Sequence, residues 1–120
     1  MKYQIVFSPL PPSVNKRLIR ARYSNKLILS TEYRNYLNQA TMEVSAFCRK
    51  YDIQPFTAYF PLDMYFFLEN NRSDSHNYKK LIFDALERGG LCDNDKWIMD
   101  RTQSIEIDKE RPKIVVEFNR

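Results

Sequence analysis

The chain has 120 residues, of which 43% are hydrophobic and 28% charged, and its formal net charge is +4. This length fits one domain, and the composition is that of a globular protein rather than of a disordered chain. We find no apolar run long enough to span a bilayer, no secretory signal and only two cysteines, so we expect no membrane association and a cytoplasmic location.

The positive charge is concentrated in one segment near the N-terminus. Residues 14–34 contain six basic side chains and one acidic side chain, a net charge of +5, which leaves −1 for the rest of the chain. Leu18, Ile19 and Tyr23 are interleaved with the basic residues. A basic loop or ribbon with an aromatic side chain suits a nucleic-acid backbone. A solvated surface loop explains the same pattern equally well.

The first half of the chain predicts a strand, a short strand and a long helix. Residues 3–8 predict the first strand and residues 26–29 a short second one. Ser30 and Thr31 are good N-caps for a helix that continues to about Tyr51. Apolar residues at spacings of three and four predict its buried stripe, namely Tyr33, Tyr36, Leu37, Ala40, Val44, Phe47, Cys48 and Tyr51.

Residues 56–69 alternate between apolar and other side chains, which predicts a long half-buried strand with a bend at Pro61. The apolar positions of this strand are Phe56, Ala58, Phe60, Leu62, Met64, Phe66 and Leu68.

After a turn at residues 70–73, Ser73 or Asp74 caps a second helix that runs to Arg88, where Gly89 and Gly90 end it. Two further strands near 99–108 and 113–118 complete the prediction. The fold class is therefore α/β (α+β), a single small domain with a mixed β-sheet packed against two helices.

The second helix separates two kinds of side chain. At 100° per residue, one side carries Tyr78, Leu81, Ile82, Ala85 and Leu86, and the opposite side carries His76, Asn77, Lys80 and Asp84. A polar helix face is usually only solvated surface. This face, however, mixes an imidazole, an amide, an amine and an acid, and the acidic cluster of residues 93–95 follows the helix closely.

We expect Asp74 and Asp95 to converge, because the loop after the helix is short. Two carboxylates suit Mg²⁺ or Mn²⁺, and such an ion can polarise a phosphodiester and activate a water. Lys80 would neutralise charge that develops on the phosphate. Asp84 either takes part or simply pairs with Lys80, four residues away.

Several motifs in order resemble the RusA-type Holliday junction resolvases, which are crossover junction endodeoxyribonucleases. Residues 11–15 (Pro-Pro-Ser-Val-Asn) resemble the family's Pro-Pro-Ser-x-Asn, and residues 74–77 (Asp-Ser-His-Asn) with Lys80 resemble its Asp-x-Asp-Asn-x-x-Lys. Residues 83–86 resemble the end of the family's helix, and residues 93–95 its acidic loop. The order and spacing hold from about residue 11 to residue 118.

This resemblance implies a homodimer that binds a four-way DNA junction in recombination and repair and nicks two strands symmetrically with Mg²⁺ or Mn²⁺, without a small-molecule cofactor. By position it implies the catalytic residues Asp74, His76, Lys80 and Asp95, of which Asp74, His76 and Asp95 would hold the metal. The residues expected to contact DNA are Asn15, Lys16, Arg17, Arg20, Arg22, Arg72 and Asn77.

Position 76 departs from the family pattern, which has Asp where this chain has His. An imidazole is a ligand for Mn²⁺ or Zn²⁺ and a poor one for Mg²⁺. Three alternatives follow: a site that works with Mn²⁺, a site that uses His76 as a general base, or a catalytically weak or inactive protein that still binds junctions. A small protein-interaction domain with an incidental basic loop is a further alternative.

Two other side chains, Trp97 and Asn15, have two explanations each. Trp97 either anchors the acidic loop in the core or stacks on DNA bases. Asn15 either orders its turn or contacts a phosphate. Cys92 lies next to the acidic loop without an evident partner base, so we do not expect a nucleophile there, and Cys48 lies on the apolar stripe of the first helix.

Overall fold

The structure is a computed structural model that describes residues 1–13, 18–20, 27–72 and 74–120, with the backbone alone for residues 18–20, 27 and 28. Its elements in chain order are β1 (Lys2–Phe7), β2 (Leu18–Arg20), β3 (Leu27–Leu29), α1 (Thr31–Lys50), β4 (Phe60–Leu68), α2 (His76–Arg88), β5 (Ile98–Ile107) and β6 (Lys113–Asn119), and a short 3-10 helix, Asp95–Trp97, precedes β5. Neither α1 nor α2, the described helices, is long and apolar enough to cross a bilayer.

Four strands form a mixed sheet in the order β1-β6-β4-β5. The pairs β1/β6 and β6/β4 are antiparallel, whereas β4 and β5 are parallel. This confirms the predicted α+β domain of a mixed sheet and two helices. One detail differs, because the short strand β3 does not join this sheet. It pairs with β2, which we did not predict, in a separate two-stranded ribbon.

Helix α1 begins as predicted. The Ser30 hydroxyl accepts a hydrogen bond from the backbone N–H of Tyr33 at 3.2 Å, which satisfies one of the free N–H groups of the first turn. The buried residues of α1 are Tyr33, Leu37, Ala40, Val44 and Cys48, all from the predicted stripe. The stripe is shorter than predicted, however, because Tyr51 caps the C-terminus of the helix and its residue surface is 43% exposed.

Strand β4 has the predicted alternation but begins later than predicted. Its residues at every second position from Phe60 to Leu68 are buried, and those between are partly or fully exposed. Phe56 is buried outside the strand, where its backbone N–H donates to the Leu91 carbonyl at 2.8 Å. This bond directs the chain toward the segment after α2, so residues 57–59 are not part of the strand despite their alternating pattern. Ala58, which was predicted to be buried, is exposed.

Helix α2 connects the parallel strands β4 and β5 and packs on the sheet through the five predicted apolar residues. It ends at Gly89, whose N–H donates to the Ala85 carbonyl at 2.8 Å. The following Gly90 has φ of 92°, a left-handed conformation that favours glycine. The predicted glycine stop of this helix is therefore confirmed.

The sheet face away from the helices carries a polar cluster around Asp63 of β4. The Arg101 guanidinium donates to this carboxylate at 2.7 Å through Nε and at 3.1 Å through Nη2, and the Gln103 amide donates at 2.9 Å. The hydrogen bond from Arg101 is the largest cause that lowers the pKa of Asp63 below its ordinary value. The charged form of Asp63 is therefore favoured in the folded protein.

Acidification is expected to remove this contribution to stability. Because the pKa of Asp63 is lower in the folded than in the unfolded chain, the stabilisation is present above the unfolded value of about 4 and is lost as pH falls through the folded value. Asp63→Asn should flatten the loss of Tm below about pH 4, and thermal unfolding followed by circular dichroism measures it. The exposed Glu110→Gln serves as the control and should leave the wild-type pH profile unchanged.

Candidate functional site

Asp74 stabilises the start of α2. Its carboxylate Oδ1 accepts a hydrogen bond from the backbone N–H of His76 at 2.9 Å, and its carbonyl accepts one from the N–H of Asn77 at 3.0 Å. The next N–H, that of Tyr78, donates to the Ser75 carbonyl at 3.2 Å. The first N–H groups of α2 are thus satisfied within the chain. Asp74 is exposed, and its second oxygen, Oδ2, accepts no hydrogen bond from the described residues.

The polar residues predicted on the outer side of α2 are found there. His76 and Lys80 are exposed, and Asn77 and Asp84 are partly buried. Lys80 Nζ lies 3.6 Å from Asp84 Oδ2, so these two residues form the ion pair that was one of the two alternatives for Asp84. A helix-surface pair of this kind contributes only about 0.3–0.5 kcal/mol. Lys80 can therefore exchange this partner for a phosphate at little cost.

The acidic loop after α2 is held by three hydrogen bonds to side-chain oxygens. The Asp93 carboxylate accepts a hydrogen bond from the Trp97 indole at 2.6 Å, and the Asn94 side chain accepts one from the N–H of Lys96 at 2.9 Å. The backbone N–H of Asp95 donates to Glu87 Oε1 at 2.9 Å, which joins the loop to the last turn of α2. Two of the three loop side chains are thus engaged in holding the loop itself.

Asp95 differs from its two neighbours in this loop. Its carboxylate accepts no hydrogen bond from the described part of the chain, and the residue is partly exposed. A carboxylate that is positioned by its own backbone but not consumed by a local hydrogen bond remains available to a cation or another ligand. This geometry distinguishes Asp95, the loop residue that the sequence analysis selected, from Asp93.

Trp97 and Cys92 flank this loop. Trp97 is partly buried against the core, and its ring meets Tyr59 edge to face at a centroid distance of 5.1 Å. With its indole bonded to Asp93, this contact favours the anchoring role over stacking on DNA. Cys92 is buried, and burial together with the nearby acids Glu87 and Asp95 raises its pKa to about 11. The thiol is therefore protonated near neutral pH and is a poor nucleophile.

The expected convergence of Asp74 and Asp95 within one chain does not occur. Asp74 bonds to His76 at the first residue of α2, whereas Asp95 bonds to Glu87 in its last turn. Eleven residues of helix separate these two contacts, roughly 16 Å along the axis. Across the described residues, no three His, Cys, Asp or Glu side chains are grouped closely enough to hold a metal ion. The short loop returns the chain to the start of β5, at the far end of the parallel crossover.

The N-terminal proline turn lies beside the start of α2. A cavity of about 310 Å³ is lined by Leu10, Pro11, Pro12, Ser13, Glu32, Glu69 and Tyr78. The proline turn and Tyr78, which lies within the motif at the start of α2, thus line one cavity although they are more than sixty residues apart in sequence. Sequence analysis missed its two acids, Glu32 and Glu69; the position of Glu69 directly after β4 was the available signal.

The residues expected to contact DNA are only partly covered by the structure. Arg20 lies in β2, with its backbone opposite Leu27 of β3, so the basic segment contains a two-stranded ribbon. Asn15, Lys16, Arg17 and Arg22, with the side chain of Arg20, lie outside what the structure describes. Arg72 is exposed in the turn before α2, where its backbone N–H donates to Asn70 Oδ1 at 2.9 Å.

Comparison with models of known protein families identifies the family of this chain. The family model for endodeoxyribonuclease RusA matches residues 9–119. The chain belongs to the RusA endodeoxyribonuclease family. This RusA match spans the proline turn, α2 and the acidic loop together and confirms the resemblance seen in the sequence. No curated protein matches the chain.

RusA nucleases in general resolve Holliday junctions and depend on a divalent metal. The side chains that would hold such an ion here, Asp74, His76 and Asp95, do not fit one shared ion within a single chain, because α2 separates Asp95 from Asp74 and His76. The chemistry of these donors suits a cation, but their arrangement in one chain does not.

Proposed function

We propose that this protein resolves four-way DNA junctions in recombination and repair, as a homodimer in the cytoplasm of a bacterial or phage-infected cell, with Mg²⁺ or Mn²⁺ as cofactor. The observation that carries the proposal is the RusA family match over residues 9–119. It is supported by two exposed or partly exposed carboxylates, Asp74 and Asp95, each held in place through backbone hydrogen bonds. When bound, the divalent ion supplies charge that polarises the phosphodiester.

Lys80 would act on the phosphate. It lies one turn after His76 on the same side of α2 and carries a positive charge that Asp84 balances only weakly at 3.6 Å. On contact with DNA, a phosphate oxygen would replace the Asp84 carboxylate, and the ammonium would stabilise the extra negative charge of the transition state. In this proposal Asp84 keeps Lys80 extended along the helix in the absence of DNA.

The basic segment around the β2/β3 ribbon would hold the DNA backbone. Residues 14–34 carry a net charge of +5, and within them β2 pairs with β3 in a ribbon that is separate from the main sheet. Exposed Arg72 and partly buried Asn77 would add contacts beside the start of α2. Binding through this many charges should weaken steeply with salt, because counterions are released from the DNA.

The direct test is cleavage of a labelled four-way junction by the purified protein, first with Mg²⁺ and then with Mn²⁺. We expect paired nicks in opposing strands and no cleavage of a linear duplex of the same sequence or of the junction in EDTA. Tight junction binding without nicking in either metal would contradict the enzyme proposal. Absence of salt-dependent junction binding would favour the protein-interaction alternative instead.

A junction-binding protein without nuclease activity is the second candidate, and position 76 is the observation that favours it. His76 is exposed at the start of α2, where the family pattern has an acid. The imidazole adds no negative charge there and is a weak ligand for Mg²⁺.

His76→Asp is therefore expected to raise Mg²⁺-dependent junction nicking. The added carboxylate supplies the hard oxygen ligand that Mg²⁺ prefers, and the Asp74 hydrogen bond is to the backbone of residue 76, so the substitution leaves it in place. We expect at least a ~10-fold gain in Mg²⁺, the size of effect that ligand environment commonly has, and a smaller gain in Mn²⁺. His76→Asn, which is similar in size but uncharged, is the control. Equal rates for the Asp and Asn variants would contradict a ligand role for position 76.

A further inference from the structure

The most exposed aromatic side chain among the described residues lies beside the acidic loop. Tyr59 is 65% exposed, and the next, Tyr51 at the end of α1, is 43% exposed. Tyr59 directly precedes Phe60, which pairs with Ile98 at the start of β5. Since the acidic loop leads into β5 at Ile98, Tyr59 and Asp95 lie at the same end of the sheet.

Trp97 supports the Tyr59 ring. The two rings meet edge to face, with 5.1 Å between their centroids and 87° between their planes. Trp97 is partly buried against the core, and its indole donates to Asp93 Oδ1 at 2.6 Å. A perpendicular contact covers at most one face of the Tyr59 ring, so the other face can receive a flat ligand. The contact also orders the ring in advance, which lowers the entropy that is lost when a ligand binds.

A cation lies beside the same indole. Lys96 is exposed, and its Nζ lies 4.7 Å from the centroid of the Trp97 ring. Within the described ranges of the chain, no acidic side chain forms an ion pair with Lys96. The residue before it is Asp95, whose backbone is held by Glu87 while its carboxylate is left available. An open aromatic face, an unpaired ammonium and an available carboxylate are therefore grouped at this loop.

These groups match the chemistry of one nucleotide. A nucleobase stacks on an aromatic ring, and the contact tolerates any sequence because every base has a π-face. A phosphate attracts an ammonium, and their contact releases a counterion from the DNA. In a linear duplex each base lies between two neighbours, so a protein ring reaches its face only after the base is unstacked, which costs free energy. A base that is already unstacked in branched DNA avoids this cost.

We infer that Tyr59 and Lys96 form a nucleotide-binding subsite, in which Tyr59 stacks on an unstacked base next to the scissile phosphate and Lys96 binds a phosphate of the same strand. The subsite would place this strand so that its scissile phosphodiester lies at Asp95. This inference rests on the proposed endonuclease function. It gives branched DNA an advantage over a linear duplex, in which no base is unstacked, and it assigns a role to Tyr59 that no motif in the sequence indicated.

Four-way junctions that carry the fluorescent base 2-aminopurine test the stacking contact. The fluorescent base is placed at successive positions around the branch point, and the protein carries Asp74→Asn so that the DNA stays uncut. On binding we expect quenching at one of these positions, which Tyr59→Leu removes and Tyr59→Phe retains, because phenylalanine keeps the ring. The affinity for the junction should fall about 5–100-fold in Tyr59→Leu, whereas the affinity for a linear duplex should not change.

Tyr51→Leu is the matched control, because it removes the next most exposed tyrosine ring, at the end of α1. This variant should keep both the quenching and the affinity for the junction. Thermal unfolding of each variant, measured on the same preparation, separates loss of the contact from loss of the fold. Trp97 is the only tryptophan of the chain, so its fluorescence provides a second measurement at the subsite. Junction binding should change this fluorescence less in Tyr59→Leu than in Tyr51→Leu.

Lys96→Ala tests the phosphate contact. Loss of one such contact should reduce the slope of the logarithm of the binding constant against the logarithm of the salt concentration by about 0.7–0.9. Lys50→Ala is the control, since Lys50 also lies over an aromatic ring, with its Nζ 5.2 Å from the centroid of Tyr51, but at the end of α1. Its slope should equal that of the wild type. An equal slope in Lys96→Ala would remove Lys96 from the subsite.

The outcomes separate the subsite from the function on which it rests. If Tyr59→Leu shows the same quenching and the same affinity as the protein with Tyr59, the inference is overturned, and the nuclease function stands as long as the wild type nicks junctions. If the wild type nicks junctions in neither metal, the proposed function fails, and quenching that depends on Tyr59 still supports the subsite. Absence of junction binding by the wild type contradicts both.

Discussion

Replacement of Asp74 by asparagine is expected to reduce the rate of junction nicking by about 10²–10³-fold or more. Losses of this size follow when one stabilising group is removed from a reacting centre. The loss should occur without unfolding. Asparagine is as good an N-cap as aspartate, so its side-chain oxygen can still accept the hydrogen bond from the His76 N–H that Asp74 Oδ1 accepts at 2.9 Å. Nicking of a labelled junction and thermal unfolding are measured on the same preparation.

Two variants make this result specific. Asp93→Asn removes a neighbouring loop carboxylate but keeps an oxygen that can accept the Trp97 indole hydrogen bond, so its nicking rate should stay close to that of the wild type. Asp74→Ala removes both the charge and the cap, and should lower stability by about 1 kcal/mol in addition to the loss of nicking. A wild-type nicking rate in Asp74→Asn would remove Asp74 from the site.

Gly89→Ala is expected to lower the free energy of unfolding by about 1–3 kcal/mol, as overpacking of a dense core does. A Cβ atom at this position would lie 2.5 Å from both Cβ and Cγ1 of Val44 and 2.9 Å from the Ala85 carbonyl oxygen. Val44 is fully buried in α1 and cannot move away easily. Denaturant unfolding followed by circular dichroism measures the loss.

The backbone does not explain this expected loss. Gly89 has φ of −79°, which any residue adopts, and Gly→Ala at such a position would otherwise stabilise by about 0.4–1 kcal/mol. Gly90 provides the contrast, because it has φ of 92° and no atom within 4 Å of the place where a Cβ would lie. Gly90→Asn should be mild, since asparagine tolerates a positive φ. If Gly89→Ala is as stable as the wild type, the close contact of α1 with α2 at this point is wrong.

The parts of the fold that were predictable from sequence are those that depend on local patterns. The Ser30 cap, the five buried residues of α2 and the glycine stop at its end all follow from residue type and from spacing over a few residues. Strand β4 was predictable in its alternation but not in its first residue, because the Phe56 hydrogen bond to Leu91 involves a segment thirty-five residues away.

The sequence predicts candidate site residues but not their arrangement. Asp74 and Asp95 stand out in the sequence, and the family match covers both. Their placement depends on whether the strands on either side of α2 run parallel or antiparallel, and the pairing of Phe60 with Ile98 through Leu68 with Ile107 makes them parallel. That single property of the sheet places the two carboxylates at opposite ends of the helix.

The amino-acid sequence alone determined the family, the faces of both helices and the concentration of positive charge between residues 14 and 34. Each of these depends on residue types at short spacings and on the order of short motifs along the chain. The tertiary structure alone revealed that Asp93 holds Trp97 while the Asp95 carboxylate is left available, and that Ile105 and Ile107 are exposed at a sheet edge. These features depend on strand order and direction, which arise from long-range backbone pairing that no local pattern encodes.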